Sequence, residues 1–91
     1  MKRIDRNQPA IVRDLRKIGA SVQSLAAIGK GCPDLLVGWR GKNFTFEIKD
    51  SMQPPSKRRL TPDEKQWAQL WSGQVHVIHS AQEAIAIMEG K

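Results

Sequence analysis

The fold is decided by the stretches Gly31-Cys32-Pro33-Asp34-Leu35-Leu36-Val37 and Phe44-Thr45-Phe46-Glu47-Ile48-Lys49. Both contain short apolar runs that favour β structure, and Arg40-Gly41-Lys42 lies between them as a turn candidate. The sequence therefore predicts an antiparallel hairpin. If its strands pair across that turn, Asp34 faces Glu47, with β carbons roughly 4.5–5.5 Å apart.

This pairing separates apolar from polar side chains. Alternate residues of both strands are apolar, as with Leu35 and Phe46, so one face of the hairpin can pack on helices. The opposite face carries Asp34, Glu47 and Lys49. An amphipathic hairpin with a solvated outer face would show the same alternation. A solvated face usually avoids like charges directly across strands, however, so the facing carboxylates favour a functional site.

The chemistry of this trio indicates a metal site. Two facing carboxylates repel each other unless one is protonated or a divalent cation lies between them. Mg²⁺ usually takes one or two protein carboxylates and leaves room for phosphate oxygens. Such a cation activates a bound water and neutralises charge on a scissile phosphate. Asp34 and Glu47 are therefore predicted ligands of Mg²⁺ or Mn²⁺, and Lys49 is predicted to orient the nucleophile or stabilise the pentacovalent state.

The length and composition of the chain limit the kinds of protein it can be. We expect the 91 residues to form one domain, spanning residues 1–91. Lys and Arg number 15 against 9 Asp and Glu, and the net charge of +6 favours a polyanionic partner such as nucleic acid. The single cysteine and the lack of a secretion-signal pattern predict a cytoplasmic location. No apolar run approaches the ~20 residues needed to cross a bilayer, so no membrane partner is predicted.

Local signals predict the element order αβββαβα. Pro9 suits the first turn of a helix that Gly19 ends, and Thr61-Pro62-Asp63-Glu64 combines an N-cap, a proline and a capping-box glutamate. The predicted elements are a helix from Pro9 to Gly19, strands at 20–25, 35–39 and 43–48, an exposed basic loop at 51–59, a helix at 61–72, a strand at 75–78 and a helix at 84–88.

The motif spacing resembles that of a known superfamily. Pro33-Asp34, followed by Glu47-Ile48-Lys49 at the end of the next strand, resembles the PD-(D/E)XK nuclease motif. Within that superfamily, the approach Gly31-Cys32-Pro33-Asp34-Leu35, the short length and the helix start Leu60-Thr61-Pro62-Asp63-Glu64-Lys65-Gln66 resemble the VRR-NUC family over nearly the whole chain. The resemblance implies a single-domain, restriction-endonuclease-like α/β fold with a mixed sheet flanked by helices.

The same resemblance implies an activity and roles for single residues. Members of the family include small stand-alone phage proteins, which are similar to Holliday-junction resolvases and act as homodimers, and domains fused to larger repair nucleases. Asp34 and Glu47 correspond to the metal ligands, the Ile48 carbonyl to a further ligand and Lys49 to the catalytic lysine. These correspondences imply a structure-specific endonuclease.

Two glutamines are further candidates with open alternatives. Gln66 would be a polar catalytic partner on the following helix, or an ordinary exposed glutamine, because Leu70 stands where a common motif form has tyrosine. Many relatives also use an acidic residue of the first helix. Gln8 could approach the site there or lie in a solvated first turn, so one-metal and two-metal mechanisms both remain open.

Cations outside the motif are candidates for DNA binding. Basic side chains on a mobile loop after the motif strand could neutralise phosphates, and those at the ends of the hairpin could extend the track. Scattered solvated cations would have the same composition. The candidates are Lys30, Arg40, Lys42, Lys57, Arg58 and Arg59.

The sequence thus predicts a Mg²⁺- or Mn²⁺-dependent endonuclease that acts on branched DNA such as Holliday junctions, in the host cytoplasm if the chain is phage-encoded. A homodimer would pair two sites, through the helix of Trp67 and Trp71 or through the last helix. One alternative is a non-catalytic DNA-binding or accessory protein of phage replication or packaging. Another is a linear-DNA exonuclease or a restriction-type enzyme.

Overall fold

The computed structural model describes residues 4–91. The strands β1 Ser21–Ser24, β2 Leu35–Trp39, β3 Lys42–Ile48 and β4 His76–Ile78 form a four-stranded sheet in the order β1-β2-β3-β4. β1–β2 and β2–β3 pair antiparallel, whereas β3–β4 pair parallel, so the sheet is mixed as expected. The helices are α1 Gln8–Lys17, α2 Pro55–Arg58, α3 Pro62–Leu70 and α4 Ala81–Met88, and the order along the chain is α1-β1-β2-β3-α2-α3-β4-α4.

The predicted order is confirmed except for one additional short helix. α2 lies within the segment 51–59, which we expected to be a loop throughout. The loop prediction is wrong for Pro55–Arg58, because Pro54 at the N-cap and Pro55 at the first helical position restrict the backbone to angles that start a helix. The cations of this segment remain exposed.

The hairpin register agrees with the sequence prediction. Leu35 pairs with Phe46, and the following pairs keep this register up to the turn at Arg40-Gly41. Both turn residues have positive φ, 50° for Arg40 and 79° for Gly41, as a two-residue hairpin turn of type I′ requires. At this position the Arg40 guanidinium lies 4.0 Å from the centre of the Trp39 ring and makes a cation–π contact with it.

The hydrophobic core lies on one face of the sheet only. α1 and α4 cover this face and contact each other, and the strand residues beneath them are fully buried. The buried core residues are Ile11, Leu15, Ala20, Leu35, Val37, Phe46, Ile48, Ile78, Ala84 and Met88. Because side chains alternate along a strand, the neighbours of these residues face the other side of the sheet.

α3 covers that other, more polar face. Parallel strands need a crossover connection, and α3 belongs to the segment that joins β3 to β4. Trp67 and Ala68 of α3 line a small cavity of about 90 Å³ together with Glu47 of β3 and Val77 of β4. The candidate residues of the hairpin therefore lie between the sheet and α3. In the described range 4–91, no helix has the length and apolar character needed to span a membrane.

Candidate active site

Asp34 is held at the point where β2 begins. Its carbonyl accepts a hydrogen bond from the Leu25 N–H at 2.8 Å, and its carboxylate oxygen Oδ2 accepts one from the Ile48 N–H at 2.6 Å. The residue is only 2% exposed. The short bond to a backbone donor directs the carboxylate across the hairpin toward the end of β3.

Glu47 lies on the same face of the hairpin as Asp34. When the register of the observed pair Leu35–Phe46 is extended by one residue, Asp34 stands opposite Glu47. Glu47 is 2% exposed and pairs with Val77 of β4. Two buried carboxylates therefore lie on the face of the hairpin that α3 covers.

Lys49 follows β3 directly and is held by both backbone and side chain. Its N–H donates to the Ile78 carbonyl at 3.0 Å, and its carbonyl accepts from the Asn7 side-chain amide at 3.2 Å. The Lys49 side chain is 8% exposed, and its ammonium group donates to Glu64 Oε1 at 2.7 Å. The lysine is thus fixed at the end of β3 by a buried ion pair from α3.

Glu64 is a site residue that the sequence analysis assigned only to the helix start. Its side chain accepts a hydrogen bond from the Thr61 N–H at 2.9 Å, and its own N–H donates to Thr61 Oγ1 at 3.2 Å, which forms the predicted capping box. The oxygen that caps α3 is the one that binds Lys49. The sequence marks Glu64 only through the capping box, and its burial against the sheet comes from the tertiary structure.

The structure places Glu64, rather than Gln66, beside Lys49. Residues two positions apart on a helix point in directions about 200° apart. Glu64 is buried against the sheet, so the side chain of Gln66 is exposed on the outer side of α3. This exposure agrees with the alternative of an ordinary helix glutamine, and a catalytic role for Gln66 stays a prediction.

The loop before Asp34 packs on the first turn of α3. Gly31 has φ +83°, and a Cβ added there would lie 2.8 Å from the Glu64 backbone nitrogen and closer still to the Asp63 carbonyl. Only glycine combines this backbone angle with such a close approach. The contact sets the position of α3, and hence of Glu64, relative to Asp34.

The N-terminus of α1 reaches the same end of β3. Asn7, the N-cap, donates to the carbonyls of Lys49 and His79 at 3.2 Å each. Gln8 is buried at 5% exposure, and within residues 4–91 its Oε1 has no hydrogen-bond partner. The residue lines a hollow beside Val12 and Arg13 rather than the cleft of Lys49, so its proposed contribution to the site stays a prediction.

Lys49 opens onto a cleft of about 440 Å³ between the N-terminal segment and the basic segment after β3. Lys57 and Arg59, two of the predicted DNA-binding residues, line it together with Arg6. Arg58 does not line it. Arg6 carries no local sequence signal for this position, because it is distant in the chain from the other two.

The remaining predicted DNA-binding residues lie elsewhere. Arg40 and Lys42 lie at the hairpin turn, and β3 separates that turn from Lys49 by about 23 Å at the usual rise per residue. Lys30 is exposed in the loop before Asp34, with φ 54°. These three cations therefore do not share the cleft.

An ion pair at the rim of the cleft involves Asp50. Its Oδ2 accepts a hydrogen bond from Arg6 Nε at 2.7 Å, and its Oδ1 accepts one from the Met52 N–H at 2.9 Å. The Met52 N–H and then the Arg6 side chain lower the pKa of Asp50 below its usual value of 3.8. Asp50 stays ionised and holds Arg6 at the rim.

The residues present fit a hard divalent cation that also binds substrate. Within residues 4–91, no cluster of three or more His, Cys, Asp or Glu side chains could hold a metal ion. Asp34 and Glu47 supply two carboxylates, and Mg²⁺ usually takes one or two of these while water and phosphate fill the other positions. The two-carboxylate donor set is therefore sufficient for such an ion.

Comparison with known proteins agrees with the fold. A solved structure titled "VRR_NUC domain" is similar to this chain, with a TM-score of 0.60 and 27% sequence identity, over 92% of this chain and 91% of that one. No family model and no curated protein matches the chain. The likeness confirms the expected small α/β fold with a mixed sheet flanked by helices.

Proposed function

We propose, from the premise that this chain belongs to the VRR-NUC family, that it is a Mg²⁺- or Mn²⁺-dependent endonuclease for structured DNA. The family likeness suggests a nuclease of the PD-(D/E)XK type. The observation that carries the proposal is the burial of Asp34 and Glu47 on one face at the end of β3, with Lys49 directly after them. Burying carboxylates costs free energy, and clusters of buried ionisable groups occur preferentially at functional sites.

Asp34 and Glu47 would hold the cation, with the Ile48 carbonyl as a further ligand. When bound, the cation supplies a water of lowered pKa and neutralises charge on the phosphate. Lys49 then stabilises the pentacovalent state or orients the attacking water. Glu64 holds the ammonium of Lys49 in position, so little reorganisation is needed when the phosphate arrives.

Branched DNA such as a Holliday junction is the proposed substrate. Two strands must be cut in such a junction, and a homodimer of twofold symmetry would supply two sites. α3 is the better candidate for the subunit interface. Its Trp67 and Trp71 rings stack with centres 4.6 Å apart, while Leu70 is 76% exposed, whereas the apolar side chains of α4 are largely used in the core.

Cleavage assays on four substrates test the proposal. Labelled four-way junction, flap, nicked duplex and linear duplex would each be incubated with the purified chain and Mg²⁺, Mn²⁺ or EDTA. We expect metal-dependent cutting within the junction. Binding without cutting in either metal would favour the accessory-protein alternative, and preferential digestion from linear ends would favour an exonuclease.

A further inference from the structure

The cleft beside Lys49 is lined by more basic than acidic side chains. Among the residues that line it, four are basic, namely Arg6, Lys49, Lys57 and Arg59, whereas Asp5 is the one acidic side chain. Lys49 is already engaged by Glu64. The remaining three cations approach from two segments that are far apart in the chain, the N-terminal segment before α1 and the segment that contains α2.

Arg6 is oriented before any ligand binds. Its Nε donates to buried Asp50, yet 67% of its side chain is exposed. A guanidinium has five donor N–H groups in a rigid fork, and this bond uses one of them. The terminal nitrogens are therefore presented at the cleft in an arrangement that suits two oxygens of a phosphate.

The basic segment itself divides into two parts. Lys57 and Arg59 line the cleft, while Arg58 lies between them in sequence and does not. All three are exposed, and each carries one positive charge. In a solvated basic loop without a binding site, the three cations would have equal roles. Here only Lys57 and Arg59 line the cleft, so their roles should differ from that of Arg58.

We propose that Arg6, Lys57 and Arg59 form a subsite for a backbone phosphate of DNA that neighbours the scissile phosphate. The proposal rests on the proposed function, because the subsite adjoins Lys49. One phosphate held between two chain segments would fix the path of the strand across the metal ligands. Phosphate contacts of this kind set register rather than sequence preference.

Salt-dependent binding of a labelled four-way junction in EDTA tests the subsite. The variants are Arg6→Gln, Lys57→Gln and Arg59→Gln, and the control is Lys65→Gln, which removes the same charge outside the cleft. Arg58→Gln, at a predicted DNA-binding residue that does not line the cleft, is compared with them. We expect each cleft variant to weaken binding and to reduce the slope of log affinity against log salt. Because the three cations share one phosphate, their combined loss of slope should not exceed about 1. Lys65→Gln should leave affinity and slope nearly unchanged, and Arg58→Gln should have a smaller effect than Lys57→Gln. Arg6→Gln also removes the partner of Asp50, so the two loop variants keep the test valid if Arg6→Gln fails to fold.

A neutral methylphosphonate placed at successive positions near the cut site identifies the phosphate that is bound. At one position, the neutral group should weaken binding of the wild-type chain but have little further effect on the Lys57→Gln, Arg59→Gln double variant. Equal effects of Arg58→Gln and Lys57→Gln on the salt slope would overturn the subsite in favour of diffuse attraction. Failure of the wild-type chain to cut any substrate, with the slopes as expected, would overturn the proposed function but leave the subsite.

Discussion

Lys49 Nζ lies 2.7 Å from Glu64 Oε1, the oxygen that also accepts a hydrogen bond from the Thr61 N–H at 2.9 Å. One carboxylate oxygen thus belongs to the capping box of α3 and is also the partner of the proposed catalytic lysine. The start of the helix and the end of β3 are coupled through this atom.

Removal of Glu64 should therefore affect stability and cleavage together. Glu64→Ala leaves the Lys49 ammonium buried without its counter-ion and also removes the cap, a loss of about 3–5 kcal/mol in unfolding free energy. Glu64→Gln keeps an acceptor for both donors and should lose less. Urea unfolding and single-turnover cleavage would measure the two effects. Gln66→Ala is the control, and equal behaviour of Glu64→Ala and Gln66→Ala would contradict the assignment.

Neutralising the proposed metal ligands should abolish cleavage without loss of fold. Asp34→Asn and Glu47→Gln keep the size of each side chain but remove the charge that binds the cation, and Lys49→Ala removes the ammonium. Each should lower the cleavage rate at least about 100-fold, as the loss of one group that stabilises a transition state commonly does. Circular dichroism checks the fold, and Glu89→Gln, at an exposed position, is the matched control. Wild-type rates in all three variants would refute the site.

The close approach of Gly31 to α3 predicts a large difference between two glycine substitutions. Gly31→Ala combines strain at φ +83° with overlap of the Asp63 carbonyl, whereas Gly41 has φ +79° with open space around it. We expect Gly41→Ala to cost about 1–2 kcal/mol from backbone strain alone. Gly31→Ala should cost about 1–3 kcal/mol more from overpacking. Denaturant unfolding measures both, and similar losses would argue against the contact.

The lowered pKa of Asp50 predicts a pH-dependent contribution to stability. A carboxyl whose pKa is depressed on folding stabilises the native state above its unfolded value, and this contribution is lost as the pH falls through the folded pKa. The usual value is 3.8, so Asp50→Asn should destabilise the protein near neutral pH. The difference from wild type should shrink as the pH falls below that value. Thermal unfolding of both proteins at several pH values measures this difference, and Asp63→Asn is the surface control. A stability difference between wild type and Asp50→Asn that stays constant with pH would contradict the assignment.

The exposed apolar side of α3 predicts where subunits would meet. Leu70→Glu, at a position that is 76% exposed, should shift a homodimer toward monomer because it places a charge in the interface. Light scattering after gel filtration measures the molar mass. Met52→Glu, at an exposed apolar residue outside α3, should leave the mass unchanged. A dimer that survives Leu70→Glu but dissociates on substitution of α4 would place the interface on the last helix.

The sequence by itself determined the hairpin and its polar face. Strand pairing follows from a local alternation of side chains and from a two-residue turn, so Asp34 could be placed opposite Glu47 without any knowledge of the rest of the chain. The helix starts were equally local, because a capping box involves residues only three positions apart. The short α2 escaped prediction since four residues carry no periodic signal.

Only the tertiary structure decided which side chains complete the site. The crossover of α3 over the polar face turns Glu64 inward and Gln66 outward, and helical periodicity cannot by itself say which side meets the sheet. Arg6 reaches the cleft of Lys57 because Asp50 binds it at the end of β3. Contacts between distant segments depend on the packing of whole elements, and no local pattern in the sequence encodes that packing.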